Sequence, residues 1–172
     1  NVGLVAALLR AANKAKFLNL SREKCAILVF FFAFGTVHLF LAPFGKVWMT
    51  SQLIGFSCSL LAYLAAFSFK GWKAWLFTGL ALAAAMLTRT QIAFTGIFPL
   101  VYLLYNAKLA KWRGAFRMLF IAAIPLLIAG GSILFYNNKR FRNPFEMGLQ
   151  YHQMAEFFRN DYALYGAFNL HY

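Results

Sequence analysis

Five long apolar runs dominate the chain, at residues 26–42, 47–69, 72–88, 92–105 and 116–136, and most polar residues fall in the short intervals between them. The apolar positions neither alternate nor follow a heptad, so an outer-membrane barrel and a coiled coil both fit poorly. Set against the roughly 20 residues that cross a hydrocarbon core about 30 Å thick, the runs predict five transmembrane helices. Residues 1–9 are also mostly apolar but stop at Arg10, too short to span and without the basic start of a signal peptide. This stretch reads as the stump of an earlier helix, and the chain as a fragment. No internal repeat or linker divides it, so the expectation is one polytopic membrane domain over 1–172.

Composition sharpens this reading. Of the 172 residues, 62% are hydrophobic and 12% charged, where a soluble domain carries about 25% charged residues. The formal charge of +13 would suggest nucleic acid in a soluble protein. Here the cations sit between apolar runs, and no motif that reads RNA or DNA is present. They read instead as topology signals and contacts to anionic lipid headgroups. One alternating set of connections holds Arg10, Lys14, Lys16, Arg22, Lys24, Lys70, Lys73, Lys108, Lys111, Arg113 and Arg117; the other holds only Lys46, Arg89, Lys139, Arg140, Arg142 and Arg159. The positive-inside rule puts the richer set in the cytoplasm. The turn at 43–46, the corner at Arg89 and the tail 137–172 then face outward.

That tail places Met147, Tyr151, Met154, Phe158, Tyr162 and Tyr165 on one helical stripe opposite Glu156, Arg159 and Asn160, which predicts an amphipathic helix along the membrane surface. In the third run, Gly79, Ala81, Ala83, Ala84 and Ala85 suit close helix packing. Pro99 and Pro125 each remove a backbone donor inside a run and predict bends.

The candidate chemistry gathers at Thr88-Arg89-Thr90-Gln91, which joins two apolar runs with no other loop. The run 92–105 covers about 21 Å as an α-helix, short of the bilayer core, so Arg89 is expected below the outer surface. A recessed guanidinium is a natural clamp for phosphate. If instead the helix continues to residue 110, Arg89 is an interfacial anchor. Lys46 is a second cation from an outward turn, and Trp48 marks the interface. Cys25 and Cys58 predict no disulfide, and His38 reads as a hydrogen-bonded intramembrane histidine. Three scattered histidines predict no metal site, and no Ser-His-Asp set, glycine-rich phosphate loop or cofactor motif appears.

Three segments carry a resemblance: Ala33-Phe34-Gly35-Thr36 with Val47-Trp48; Leu87-Thr88-Arg89; and Tyr136-Asn137 followed by Arg140-Phe141-Arg142-Asn143-Pro144-Phe145-Glu146-Met147-Gly148. In order and spacing they resemble multi-spanning glycosyltransferases of the C-type fold, relatives of protein mannosyltransferases and lipid A aminoarabinose transferases. The sequence departs from those relatives at Arg142, where they tend to have Gly after Arg-Phe. The resemblance implies transfer of a sugar from a polyprenyl-phosphate donor to a lipid, glycan or protein acceptor, outside the bacterial inner membrane. It implies that the catalytic acid lies upstream of Asn1. It also implies that Arg89 lies near the donor site and that the 140–148 segment, with Arg140, Arg142 and Glu146, borders the cavity. The residues themselves add Lys46 as a second cation for the donor phosphate, Thr88 and Gln91 beside Arg89 at the cavity border, and Tyr151 as a cavity ring that can stack on the sugar. A transporter or flippase subunit, or a non-catalytic membrane subunit, is the alternative. An acidic pair in the first outward loop would favour the transferase.

Overall fold

The computed structural model describes residues 1–107 and 112–146, together with 148, 160 and 164. Among them every regular element is helical: α1 Val2–Lys14, α2 Arg22–Gly35, α3 Val37–Leu41, α4 Val47–Ser68, α5 Gly71–Thr88, a 3-10 segment Thr90–Gly96, α6 Ile97–Asn106 and α7 Trp112–Phe141. The chain divides into two compact units, Asn1–Gly130 and Gly131–Tyr172. The surface-lying helix expected in the tail falls outside the described residues.

Two helices are long and apolar enough to cross a membrane, Val47–Ser68 and Arg113–Phe141. Only 33% and 17% of their most apolar stretches are buried, unlike the core helix of a water-soluble protein. Phe30, Phe34, Phe40, Phe94 and Ile97 also stand exposed, a surface suited to an apolar surrounding.

Of the other expected spans, 72–88 forms the single helix α5 and two take different forms. The run 26–42 breaks between α2 and α3 at Thr36, whose backbone is extended. Its Oγ1 donates to the Phe32 carbonyl at 2.7 Å and accepts from the His38 amide at 3.2 Å, closing one helix and capping the next. At the N-terminus the helix passes Arg10 and ends at Lys14. There the Asn13 amide donates to the Leu20 carbonyl at 2.9 Å and accepts from the Leu20 amide at 3.1 Å, stapling the basic loop shut.

The run 92–105 divides into the 3-10 segment and α6, and Pro99 supplies the reason. Pro99 has no N–H for the Thr95 carbonyl four residues back, and its ring crowds that carbonyl in an α-helix. The α-helix therefore starts at Ile97, with Pro99 in its first turn. The Tyr63 hydroxyl, reaching across from α4, donates to the Thr95 carbonyl at 3.0 Å. Ser59 meets the Thr95 hydroxyl at 3.1 Å. Rings continue the contact along the same helices, with Tyr63 stacked on Phe98 at 5.5 Å and Phe67 against Tyr102 at 4.5 Å.

Between α4 and α5 the packing is built from small residues. Ala62, Ala65 and Ala66 of α4 and Ala74, Thr78 and Ala85 of α5 are all buried where the two helices lie side by side. The Thr78 hydroxyl donates to the Ala62 carbonyl at 3.4 Å. At Gly79 the α7 backbone comes so close that an added Cβ would run into the Ala122 carbonyl. Trp75 fills the remaining volume beside Leu103 and Ala122. In an apolar solvent such contact comes from close van der Waals approach and hydrogen bonds.

Candidate functional site

α5 ends at the expected corner because Arg89 leaves the helical conformation, with φ −155° and ψ 121°. Its amide still donates to the Ala85 carbonyl at 3.0 Å, and its carbonyl accepts from the Ile92 amide at 3.0 Å. The half-buried side chain lies over Trp48, with the guanidinium carbon 5.3 Å from the ring centroid. A guanidinium laid on an aromatic face keeps its edge N–H groups free to donate in its own plane.

Trp48 stands in the first turn of α4, two residues after Lys46, the exposed residue that precedes that helix. The Lys46 carbonyl accepts from the amides of Met49 and Thr50 at 3.0 and 2.9 Å. The structure therefore brings Arg89 to the turn that holds Lys46; among the described residues no contact joins the two cationic groups. Thr88 is committed elsewhere, its hydroxyl donating to the Ala85 carbonyl at 2.6 Å and its side chain lying where a Cβ on Gly55 would go. Gln91 is exposed within the 3-10 segment.

The geometric basis for a recessed Arg89 changes. The path from Thr90 to Asn106 combines seven 3-10 residues with ten α-helical ones. Its contour is about 29 Å, near the bilayer core instead of well short of it. Arg89 sits at the end of an 18-residue helix about 27 Å long. The other end of that helix carries Trp72, with the Lys73 ammonium 6.0 Å from its ring.

Arg140, Arg142 and Glu146 belong to the second unit. Arg140 donates from Nη1 to the Tyr136 hydroxyl at 3.2 Å and lies 4.9 Å from the Phe141 ring centroid. Arg142 follows the end of α7 with φ 55°, a left-handed backbone that favours glycine. Its amide donates to the Asn138 carbonyl at 2.9 Å. The buried Asn137 side chain donates to the Pro144 carbonyl at 3.3 Å, and Asn143 Oδ1 accepts from the Phe145 amide at 3.0 Å. Glu146 is buried, and its Oε1 accepts from the Gly148 amide at 2.7 Å. Tyr151 lies outside the described residues.

No family model, curated protein or solved structure matches the chain.

Sequence reasoning marked Trp48 only as an interface residue and missed its pairing with Arg89. It also missed Tyr63, Ser59 and Asn137, polar groups that complete backbone hydrogen bonding. The signal for Tyr63 was present in the Thr95-to-Pro99 spacing, which orphans one carbonyl. Among the described residues no three of His, Cys, Asp and Glu come together as a metal site. His38 stacks on Phe32 with ring centroids 5.0 Å apart. Both cysteines are free, and the Cys25 thiol accepts from Asn13 Nδ2 at 3.6 Å.

Proposed function

We propose that the chain is part of a multi-pass membrane glycosyltransferase, with Arg89 holding the phosphate of a polyprenyl-phosphate sugar at the outer face. The observation that carries this reading is the Arg89–Trp48 contact, which joins two turns of the cation-poor set at one end of α5. Arg10, Lys14, Lys16 and Lys70, from two connections of the cation-rich set, line a common cavity. That segregation is the one the positive-inside rule requires of alternating connections. The resemblance to C-type glycosyltransferases supplies the reaction. The left-handed backbone at Arg142, where those relatives tend to have Gly, agrees with it.

Chemically, cleavage of the anomeric C–O bond leaves negative charge on the lipid phosphate and oxocarbenium character on the sugar. A fixed guanidinium beside the phosphate stabilises the departing charge more than the ground state. Trp48 covers one face of Arg89 and holds it in place, and Lys46 adds positive potential from the same turn. A carboxylate elsewhere in the protein deprotonates the acceptor. Glu146 and the asparagines around it shape the turn at the end of α7.

The test is transfer from a polyprenyl-phosphate sugar by the purified full-length protein, normalised to folded amount. Loss of turnover in Arg89→Ala supports the clamp. Normal turnover with lowered thermal stability would make Arg89 a structural anchor and favour the non-catalytic reading.

A further inference from the structure

We propose that the end of the first unit opposite Arg89 is a binding site for an anionic phospholipid of the membrane. A cavity of about 1020 Å³ opens there, and every formally charged side chain in its lining is a cation: Arg10, Lys14, Lys16 and Lys70. Phe67, Trp75 and Tyr102 form apolar parts of its wall. A second hollow of about 720 Å³ is lined mainly by apolar residues of α1 and α2, among them Val2, Ala6, Ala26, Val29 and Ala33, with Arg10 and Arg22 its two charged residues. The polar cavity and the mainly apolar groove thus share Arg10. A ligand using both must carry a compact anion joined to a long hydrocarbon chain.

Three features fix the class. Four cations with no acid in the lining call for phosphate, and a planar guanidinium with ammonium groups around it suits a phosphodiester. The groove is apolar and bordered by the exposed Phe30 and Phe34 rings, which matches an acyl chain. The adjoining Trp72, with Lys73 over it, is the residue type that settles at the headgroup level. Phosphate could also arrive as the free ion, but a free ion has no use for the groove. The proposal rests on the membrane reading of the chain and not on Arg89 or on sugar transfer.

The test counts lipids retained by the full-length protein released from nanodiscs of phosphatidylcholine doped with phosphatidylglycerol, by native mass spectrometry. Wild-type protein should keep phosphatidylglycerol in preference to phosphatidylcholine. Replacing the four cations together (Arg10→Gln, Lys14→Gln, Lys70→Gln, and Lys16→Asn because that backbone is left-handed, φ 58°) should weaken retention about 1000-fold. Lys14→Arg with Lys70→Arg keeps the charge and should keep the lipid. Ala33→Trp, which fills the groove and leaves every charge in place, should lower retention as well. No preference in the wild-type protein overturns the site without needing a variant to fold. Glycerophosphate or inorganic phosphate bound as tightly as the lipid, with Ala33→Trp silent, overturns the lipid in favour of a free anion. Neither result bears on turnover, so failure here is distinct from failure of the transferase reading.

Discussion

Arg89 lies with its guanidinium carbon 5.3 Å from the centre of the Trp48 ring, tying the end of α5 to the first turn of α4. Such a contact contributes about 0.5–1 kcal/mol at an exposed site and about 2 kcal/mol when desolvated. That is small for stability but sufficient to bias the orientation of a flexible cation. A guanidinium held on a ring face can still donate in its own plane.

If the fork grips the donor phosphate, Arg89→Ala removes a charge-assisted contact that strengthens as the leaving group ionises. The expected loss is about 2–4 kcal/mol of transition-state stabilisation, or roughly 30- to 1000-fold in turnover. Arg89→Lys retains part of the rate, because charge survives and bidentate geometry does not. Trp48→Leu, which keeps the guanidinium but removes its support, should cost about fivefold. Turnover per folded molecule, with thermal unfolding measured in parallel, checks all three.

Tyr63 and Pro99 make a second pair with a measurable coupling. Tyr63→Phe leaves the Thr95 carbonyl without its donor and should cost about 1–3 kcal/mol. Pro99→Ala restores an amide four residues after Thr95, so the carbonyl regains a partner and the α-helix can start earlier. The double variant should therefore lose less than the sum of the single ones. Thermal unfolding of all four proteins in one detergent gives the cycle, and strict additivity would show that the hydroxyl does not serve this carbonyl.

The sequence pattern located the helical class, the corner at Arg89 and the crowding of small residues in α5, because each rests on local hydropathy or residue size. Break points were harder to read. Thr36 lies inside an apolar run and closes α2 only because its hydroxyl reaches the Phe32 carbonyl. The 3-10 segment follows from Pro99, but the group that serves its Thr95 carbonyl, Tyr63, is more than 30 residues away in sequence, and periodicity does not name it. At the candidate site, Arg89 and Lys46 stood out as cations between apolar runs. The approach of Arg89 to the turn that holds Lys46 became visible through Trp48, whose ring marks an interface in any sequence but names no partner. In the second unit, Arg142 adopts φ 55°, a backbone state that favours glycine and that hydropathy does not mark.

Gly79 provides a test of the helix contact. Glycine to alanine in a helix normally gains about 0.5–1 kcal/mol from backbone entropy. Here the new Cβ meets the Ala122 carbonyl and its Cα, backbone atoms that cannot swing aside. Gly79→Ala should reverse the usual sign and destabilise by about 1–3 kcal/mol. Gly131→Ala, in the same type of helix with open space around it, serves as the control and should not destabilise. Parallel melting curves in one detergent decide it, and equal behaviour of the two variants would remove the close contact from the account.

Arg142→Gly should act in the favourable direction. A left-handed backbone costs an L-residue about 1–2 kcal/mol, offset in part by the extra freedom glycine has when unfolded. A net local gain of about 0.5–1 kcal/mol is expected. It should appear as slower hydrogen exchange at the Arg142 position's own amide, which bonds to the Asn138 carbonyl, and at the Glu146 amide, which bonds to Asn143. Faster exchange at both amides would contradict the left-handed assignment.

Topology can be read at the two ends of α5. Lys73 and Gln91 are both exposed, and the helix between them is about 27 Å long, close to the thickness of the hydrocarbon core. If the distribution of cations sets the orientation, the Lys73 end lies inside and the Gln91 end outside. With Cys25 and Cys58 replaced by serine, Lys73→Cys should resist a membrane-impermeant thiol reagent in intact cells and react after permeabilisation. Gln91→Cys should react in both conditions. The Lys73 substitution removes one cation, so Gly71→Cys is avoided as a substitute because of its left-handed backbone, φ 58°; Trp72→Cys, which is also exposed, repeats the measurement with Lys73 intact. Reaction of Lys73→Cys and Trp72→Cys in intact cells, with Gln91→Cys protected, would invert the orientation and move Arg89 to the cytoplasmic face. Equal reactivity of all three would mean that α5 does not cross the membrane, and the proposed outward phosphate site would fall with it.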